Sequence, residues 1–516
     1  MKMTKLFGLI ATSLIALPLF IGGALGMGEV AEAAEDPVKV TLHKRVFEED
    51  YPDSPIQNTG AVIEGFKGTA LPGVTFTAYD ITGYYHTQIN GSSQSDVIND
   101  IVADTTAAIS AAIGTLLPVV TNDQGEAVFN NLPATSTYQV GGTNVTKDAV
   151  YLFVETGTPN ATTVTKKAAP IVLALPIYGI TTNDDGSVKV DSSGNVTYTD
   201  VLNKDIHLYP KNLTATDTKE VDYGKTAVPV YDDDEKLLYY TATTADTFNY
   251  TLTINIPANI DSLTSFTITD MPTAGLALVA EPTVGSLTKA TDYTFNASGN
   301  GFVIGLLPGS NAVKALAGQT LTITYQMKFA DTIDVDDLQN NTAYVSINGT
   351  QQPDLITDEV GTGGHKFTKV DSHTGKGLAG AEFVIKRSEN EFAKFTELSD
   401  GTYKFDGWAA TQPTEATIKS KTDGVLNVIG LANGSYSLIE TKAPSDNYVK
   451  LKDAVAFTVT HGKYKDTNLN TEVSNTPKGL LPSTGGNGIL LFLAIGLGLM
   501  AGAFVWYKKV KRTVEV

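Results

Sequence analysis

The stretch Tyr436-Ser437-Leu438-Ile439-Glu440-Thr441-Lys442-Ala443-Pro444 has a looser counterpart near the other end of the chain, Tyr151-Leu152-Phe153-Val154-Glu155-Thr156-Gly157-Thr158-Pro159. In each, a glutamate is embedded among apolar, aromatic and threonine residues and the run closes on a proline, the composition of a strand ending in a turn. Two further pieces precede each stretch in the same order. Phe367-Thr368-Lys369-Val370-Asp371 and Leu378-Ala379-Gly380-Ala381-Glu382-Phe383 lead to Tyr436; Val40-Thr41-Leu42-His43-Lys44 and Leu71-Pro72-Gly73-Val74-Thr75-Phe76 lead to Tyr151. Three pieces kept in order twice form a weak internal repeat, so two domains share one plan.

The segment between them, roughly 213–360, lacks this plan and carries Phe266-Thr267-Ile268-Thr269-Asp270 and Asn341-Thr342-Ala343-Tyr344-Val345 instead. Short alternating runs of Val, Thr, Tyr and Phe, broken by clusters such as Asn122-Asp123-Gln124-Gly125, fill most of the chain. This pattern predicts an all-β protein of several Ig-like β-sandwiches in series. Ser95 to Leu117 departs from it: Val97, Ile98, Ile101, Ile109, Ile113 and Leu116 recur at helical spacing, which predicts one helix inserted in the first domain. Gly361-Thr362-Gly363-Gly364 reads as a short flexible joint before the last domain.

The ends carry addresses. Lys2 and Lys5, an apolar run from Leu6 to Leu25 and the small-residue stretch up to Ala34 have the layout of a secretory signal peptide cut near Ala33. At the other end, Leu481-Pro482-Ser483-Thr484-Gly485 precedes an apolar run, Ile489 to Val505, and the cluster Lys508-Lys509-Val510-Lys511-Arg512. The run is near the lower length limit for one membrane span, and the basic cluster holds its end in the cytoplasm. The reading therefore divides the chain into a signal peptide (1–33), three domains (34–212, 213–360 and 361–477) and a terminal signal with span and basic tail (478–516). A net charge of −19 argues against nucleic acid or an anionic surface as partner, and a large exported protein without cysteine needs a staple other than a disulfide.

Chemistry enters through the last domain. Phe367 and Lys369 fall on one face of a strand, so Lys369 points into the core beside an aromatic ring. Desolvation lowers the pKa of a lysine and makes it a nucleophile; it raises that of a glutamate such as Glu440, which then polarises the side-chain carbonyl of Asn475. The amine displaces ammonia, and the product is an intramolecular isopeptide bond.

Tyr436 to Pro444 resembles the E-box of collagen-adhesin B-type domains and pilins, with Asn447 standing where that family has Gly ahead of Tyr448. The resemblance covers His365 to Pro477 and implies Lys369 as nucleophile, Glu440 as catalytic acid and Asn475 as acceptor. The terminal signal resembles that of sortase substrates, in which a cysteine enzyme attacks the carbonyl of Thr484, expels everything from Gly485 onward and passes the acyl group to an amine. Ile206-His207-Leu208-Tyr209-Pro210-Lys211-Asn212 resembles the pilin motif of sortase-assembled backbone pilins, whose lysine is that amine. Alternation agrees: with Leu208 and Asn212 inward, Lys211 is presented outward at a strand end fixed by Pro210. Asn212 is then the acceptor of the first domain, with Lys44 as nucleophile and Glu155 as acid. Phe266 to Asp270 before a proline resembles the collagen-adhesin A-type pattern and implies Asp270 as acid, with Lys219 and Asn341 as partners and Lys225 and Asn340 as rivals.

The resemblance thus implies a structural pilus subunit with self-processing chemistry and no turnover. Its expected partners are a sortase, identical subunits, peptidoglycan, possible tip and base pilins and a host surface ligand; no cofactor or metal is expected. A monomeric wall-anchored adhesin uses the same terminal signal but needs no role for Lys211. A wall-anchored hydrolase lacks a motif here, and the six histidines are scattered. Asp232 to Glu235 and Asp334 to Asp337 lack the spacing of a calcium loop and read as solvated turns.

Overall fold

A computed structural model describes residues 36–48, 51, 58–184, 187–192, 196–413, 418–479 and 487–513. The signal peptide and Leu481-Pro482-Ser483-Thr484-Gly485 lie outside the described residues. The protein is mostly β, as its alternating pattern requires, and forms two compact units. The first holds the residues up to Lys225, Asp246–Ile333 and Gln339–Val360; the second holds Thr226–Ala245, Asp334–Leu338 and the residues from Gly361 onward.

In the first unit, strand Val38–His43 lies between Glu126–Leu132, antiparallel, and Asp205–Leu208, parallel. After Lys44 the chain changes sheet, and Arg45–Glu48 pairs in parallel with Lys211–Thr214. A further sheet carries Thr75–Asp80 and Val150–Gly157. Val40, Leu42, Phe76, Phe129, Tyr151, Phe153 and Leu208 meet in the core between them. Truncating one of these phenylalanines to alanine costs about 3–5 kcal/mol, transfer and cavity terms together.

The stretch 213–360 contributes two more sheets to this unit. Thr320–Phe329 alternates without a break, burying Leu321, Ile323, Tyr325, Met327 and Phe329, and runs antiparallel to Thr247–Asn255, which in turn pairs with Thr218–Asp222. The other sheet places Phe266–Pro272 between Gly301–Leu306 and Asn341–Ile347.

The predicted single helix over Ser95 to Leu117 is two, Gln94–Ala103 and Thr106–Ser110, with a third, Thr82–Gln88, before them. The break lies at Asp104, which is extended and whose Oδ1 accepts the Thr106 amide at 2.9 Å, a local bond that competes with the helix ladder. Beyond Ser110 the chain turns into strand Gly114–Thr115, and Leu116 packs on the main core instead of the helical face. Val97, Ile98 and Ile101 bury against Val150 and Leu152 on the flank of the sheet.

In the second unit one nine-stranded sheet runs from Val455–Val459 through Gly434–Lys442, Glu382–Ser388, Glu391–Glu397, Tyr403–Ala409, Val425–Leu431 and Gly363–Asp371 to Thr471–Asn475, with Ile418–Lys419 paired beside Glu382–Ser388. Phe367, Phe383, Phe405, Tyr436, Phe457 and Val473 fill its core. Gly361 to Gly364 is no flexible joint. All four residues are buried, and Gly363 opens the Gly363–Asp371 strand. A Cβ at Gly361 would come within 2.3 Å of His461 Nε2, and one at Gly364 within 2.5 Å of the Val428 carbonyl oxygen. Close approach, not mobility, demands glycine here.

Both acidic runs are ordered turns. Asp232 Oδ1 accepts the amides of Asp234 and Lys236, and Lys465 Nζ bridges Asp334 and Asp337. Helix Asn487–Thr513 contains an 18-residue stretch, Phe492–Lys509, long and apolar enough to cross a membrane.

Candidate functional site

The side chains of three lysines, three acidic residues and three asparagines, all shielded from solvent, assemble into three clusters. In the first, Lys44 sits at the sheet change, its amide donating to the Gly125 carbonyl at 2.6 Å and its carbonyl accepting the Leu71 amide at 3.2 Å. Gly125 has φ +74°, and a Cβ there would lie 2.5 Å from the Lys44 oxygen, so only glycine lets the turn clamp the lysine. Lys44 Nζ donates to Glu155 Oε2 at 2.7 Å and also to Asn212 Oδ1, while Asn212 Nδ2 donates to Glu155 Oε1 at 3.0 Å. The ring of Phe76 lies 5.5 Å from Nζ.

The second unit repeats the arrangement. The Lys369 amide donates to the Gly424 carbonyl at 2.7 Å, its carbonyl accepts the Leu378 amide at 2.8 Å, and a Cβ on Gly424 would meet that carbonyl at 2.1 Å. The strand of Lys369 pairs in parallel with that of Asn475, with Lys369 opposite Val473 and Asp371 opposite Asn475. Glu440 Oε2 accepts from Asn475 Nδ2 at 2.9 Å and from the Leu451 amide at 2.6 Å. Lys369 Nζ donates to the Val473 carbonyl at 2.6 Å and stands 3.9 Å from Glu440 Oε1. Asn475 Oδ1 finds no hydrogen-bond partner among the described residues, a buried acceptor left open.

In the middle cluster, Lys219 and Asn341 come from different sheets. Lys219 Nζ donates to Asp270 Oδ2 at 2.6 Å; Asn341 Nδ2 lies 3.2 Å from Asp270 Oδ1. Lys225 is exposed and Asn340 only half-buried, so the rivals stand outside this cluster. Tyr325 OH also donates to Asp270 Oδ2, at 2.5 Å, and accepts from Asn341 Nδ2 at 3.2 Å. Sequence reasoning missed Tyr325 because a tyrosine in an alternating strand looks like ordinary core. Gly125 was legible only as part of a turn cluster, and Gly424 was missed.

Burial, opposed by the neighbouring carboxylate, brings each of the three amines from 10.5 down to about 8. A lowered pKa leaves more of each amine neutral, and so nucleophilic, at neutral pH than in an ordinary lysine. Each cluster thus joins a partly neutral amine, a carboxyl group and a carboxamide in a dry site, which suits acyl transfer from the amide to the amine.

Lys211 is half-buried instead of standing free. Its Nζ lies 5.5 Å from the centre of the Phe66 ring, which stacks on Tyr209 at 4.4 Å, and burial lowers its pKa below the usual value. Leu208 and Asn212 turn inward on either side, as alternation requires.

Three protein families match this chain. Residues 35–213 match the N-terminal domain D1 of Gram-positive pilin subunits, 363–473 the prealbumin-like fold domain SpaA, and 473–515 the LPXTG cell wall anchor motif. A type 2 fimbrial subunit of Actinomyces naeslundii is 23% identical over 527 residues, 89% of this chain and 87% of that one. The trypsin-resistant surface T6 protein of Streptococcus pyogenes serotype M6 is 30% identical over 190 residues, 27% of this chain and 35% of that one. Among solved structures, the full-length major pilin SpaD of Corynebacterium diphtheriae aligns at 21% identity, covering 87% of this chain and 99% of that one with a TM-score of 0.44. The RrgB pilus protein of Streptococcus pneumoniae aligns at 16% identity, covering 88% and 100%, with a TM-score of 0.46.

Proposed function

We propose, for a chain that its pilin N-terminal domain, its prealbumin-like domain and its LPXTG anchor make a wall-anchored subunit of Gram-positive pili, that it is the repeating backbone unit of a covalent fibre. A sortase cleaves the Thr484–Gly485 bond and holds the Thr484 acyl group. Lys211 Nζ of the next subunit attacks that carbonyl, expels the enzyme and forms the intermolecular amide. One donor and one acceptor per chain, at different positions in the sequence, give a head-to-tail polymer. The last subunit passes to peptidoglycan through the same Thr484 acyl group, with tip and base pilins and a host surface ligand as further partners.

Within each subunit the amines of Lys44, Lys219 and Lys369 attack the side-chain carbonyls of Asn212, Asn341 and Asn475. The Nζ–Cγ bond forms, the Cγ–Nδ2 bond breaks, and ammonia leaves with a proton that Glu155, Asp270 or Glu440 carries across. This chemistry works once per subunit and has no turnover. The domain boundaries 34–212, 213–360 and 361–477 belong to the same proposal, one link per domain.

The observation that carries this reading is the threefold recurrence of a buried lysine and a buried asparagine bridged by one buried carboxyl group. Intact-mass analysis of residues 35–477 tests it, since each bond lowers the mass by about 17 Da as the amine displaces ammonia. Three such losses are expected, together with polymer ladders that vanish in Lys211→Ala. A mass without deficit refutes the intramolecular links, and ladders that persist in Lys211→Ala refute Lys211 as acceptor. Surface protein that never forms ladders would point to the monomeric adhesin.

A further inference from the structure

In the middle cluster the leaving nitrogen of Asn341 and the carboxyl group of Asp270 share a neighbour that the proposed reaction does not yet use. Tyr325 OH donates to Asp270 Oδ2 at 2.5 Å and receives Asn341 Nδ2 at 3.2 Å, while the same Oδ2 receives Lys219 Nζ at 2.6 Å. The ring is fixed by Tyr250, stacked at 5.3 Å, and by Phe302, edge-on at 5.0 Å. Asn341 Oδ1 has no hydrogen-bond partner among the described residues, so the polar contacts of this carboxamide gather on its nitrogen side.

We infer that Tyr325 is a catalytic residue of the Lys219–Asn341 condensation, relaying a proton from Asp270 to the departing Asn341 nitrogen. The inference rests on the reading of this cluster as an isopeptide site. As neutral Lys219 Nζ bonds to Asn341 Cγ, the carboxamide nitrogen loses its conjugation and becomes basic. Asp270 Oδ2 takes one proton from Nζ and passes a proton to the Tyr325 oxygen; Tyr325 gives its own phenolic proton to Nδ2. Cγ–Nδ2 breaks, ammonia leaves, and both Asp270 and Tyr325 return to their starting forms. Tyr325 offers the path because its OH bonds both Oδ2, the oxygen that takes the amine's proton, and Nδ2, whereas Asp270 itself meets Nδ2 only through its other oxygen, Oδ1, at the same 3.2 Å.

Burial, reinforced by Asp270, pushes the Tyr325 pKa far above its ordinary value. The phenol therefore keeps its proton at neutral pH and acts as a relay, accepting a proton as it gives one up. Glu155 and Glu440 hold their asparagine nitrogens directly, at 3.0 and 2.9 Å.

The test follows the Lys219–Asn341 link in the full chain, pulse-labelled during cell-free synthesis, chased and digested, with the cross-linked peptide scored by mass. Tyr325→Phe removes a single oxygen and keeps the ring stacking. It is expected to slow formation of this link about 100-fold, the lower range for general acid–base catalysis, while the Lys44–Asn212 and Lys369–Asn475 links form at the wild-type rate. Replacing Tyr325 by 3,5-difluorotyrosine, a more acidic phenol of nearly the same shape, is expected to shift the rate and its pH profile; a purely structural role would leave both unchanged. A wild-type rate in Tyr325→Phe overturns the relay and leaves the isopeptide reading standing. Absence of the Lys219–Asn341 link from the wild-type chain overturns both.

Discussion

Substituting Glu440→Gln removes the acid of the second unit while keeping its shape, and its stability cost follows from the loop that the link would close. From Lys369 to Asn475 that loop spans about 106 residues, and the cross-link entropy relation gives about 4.8 kcal/mol of unfolded-state freedom removed. For a domain near 100 residues, 1 kcal/mol shifts the midpoint by at least about 4 °C, so the unlinked variant should melt about 20 °C lower. The fold supplies its own probe. Of the two tryptophans in the chain, Trp506 lies in the terminal helix, leaving Trp408 alone in residues 35–477. Trp408 packs 4.8 Å from Phe405 and under the Arg387 guanidinium in the second unit, so its fluorescence follows this unit selectively. Thermal melts of that fragment, paired with intact mass, check the argument. A Glu440→Gln fragment that lacks the link yet melts within about 5 °C of wild type would refute the entropic account, and one that still forms the link would refute Glu440 as the acid.

Three further outcomes are expected. In Asn475→Ala, Lys369 stays a free amine whose folded pKa of about 8 lies below its ordinary 10.5; the unfolded chain then binds more protons across that interval, so Trp408 melts should rise from pH 8 to 10.5, whereas the linked protein lacks this rise. In Phe66→Ala, Lys211 loses the ring beside its Nζ and its pKa should climb toward the ordinary value, read as an upward shift in the pH dependence of Lys211 acylation in peptide maps. Gly424→Ala forces a Cβ onto the Lys369 carbonyl at a φ of +76°, so the second unit should lose more than about 1 kcal/mol and its link should form incompletely, both measurable by melt and mass.

How far the sequence reaches differs from cluster to cluster. Strand alternation aimed Lys369 inward and the E-box resemblance supplied the roles of Lys369, Glu440 and Asn475, while the internal repeat put Lys44 and Glu155 in matching places in the first domain. In the middle segment Lys219 and Lys225 lie too close for periodicity to separate; what separates them is that Lys219 enters a strand while Lys225 stays exposed in a turn. The broken helix escaped because its hydrophobic period continues through Asp104, where a side-chain bond to the backbone wins over the ladder. Gly361 to Gly364 misled for a related reason: glycine marks both mobile joints and places where backbone must approach backbone or ring, and only packing distinguishes them.

The clusters also differ in what holds their ends together without chemistry. Arg45–Glu48 and Lys211–Thr214 are neighbours in one ladder, as are Gly363–Asp371 and Thr471–Asn475, so tension along either pair is shared by a row of hydrogen bonds loaded in shear. Thr218–Asp222 and Asn341–Ile347 belong to separate sheets and share no such row; tension there peels two faces apart. A chain missing only the Lys219–Asn341 bond would have slack of up to about 400 Å to release, roughly 122 residues at full extension. In a fibre of such subunits, the proposed bond would separate a cable of fixed length from one that lengthens under load.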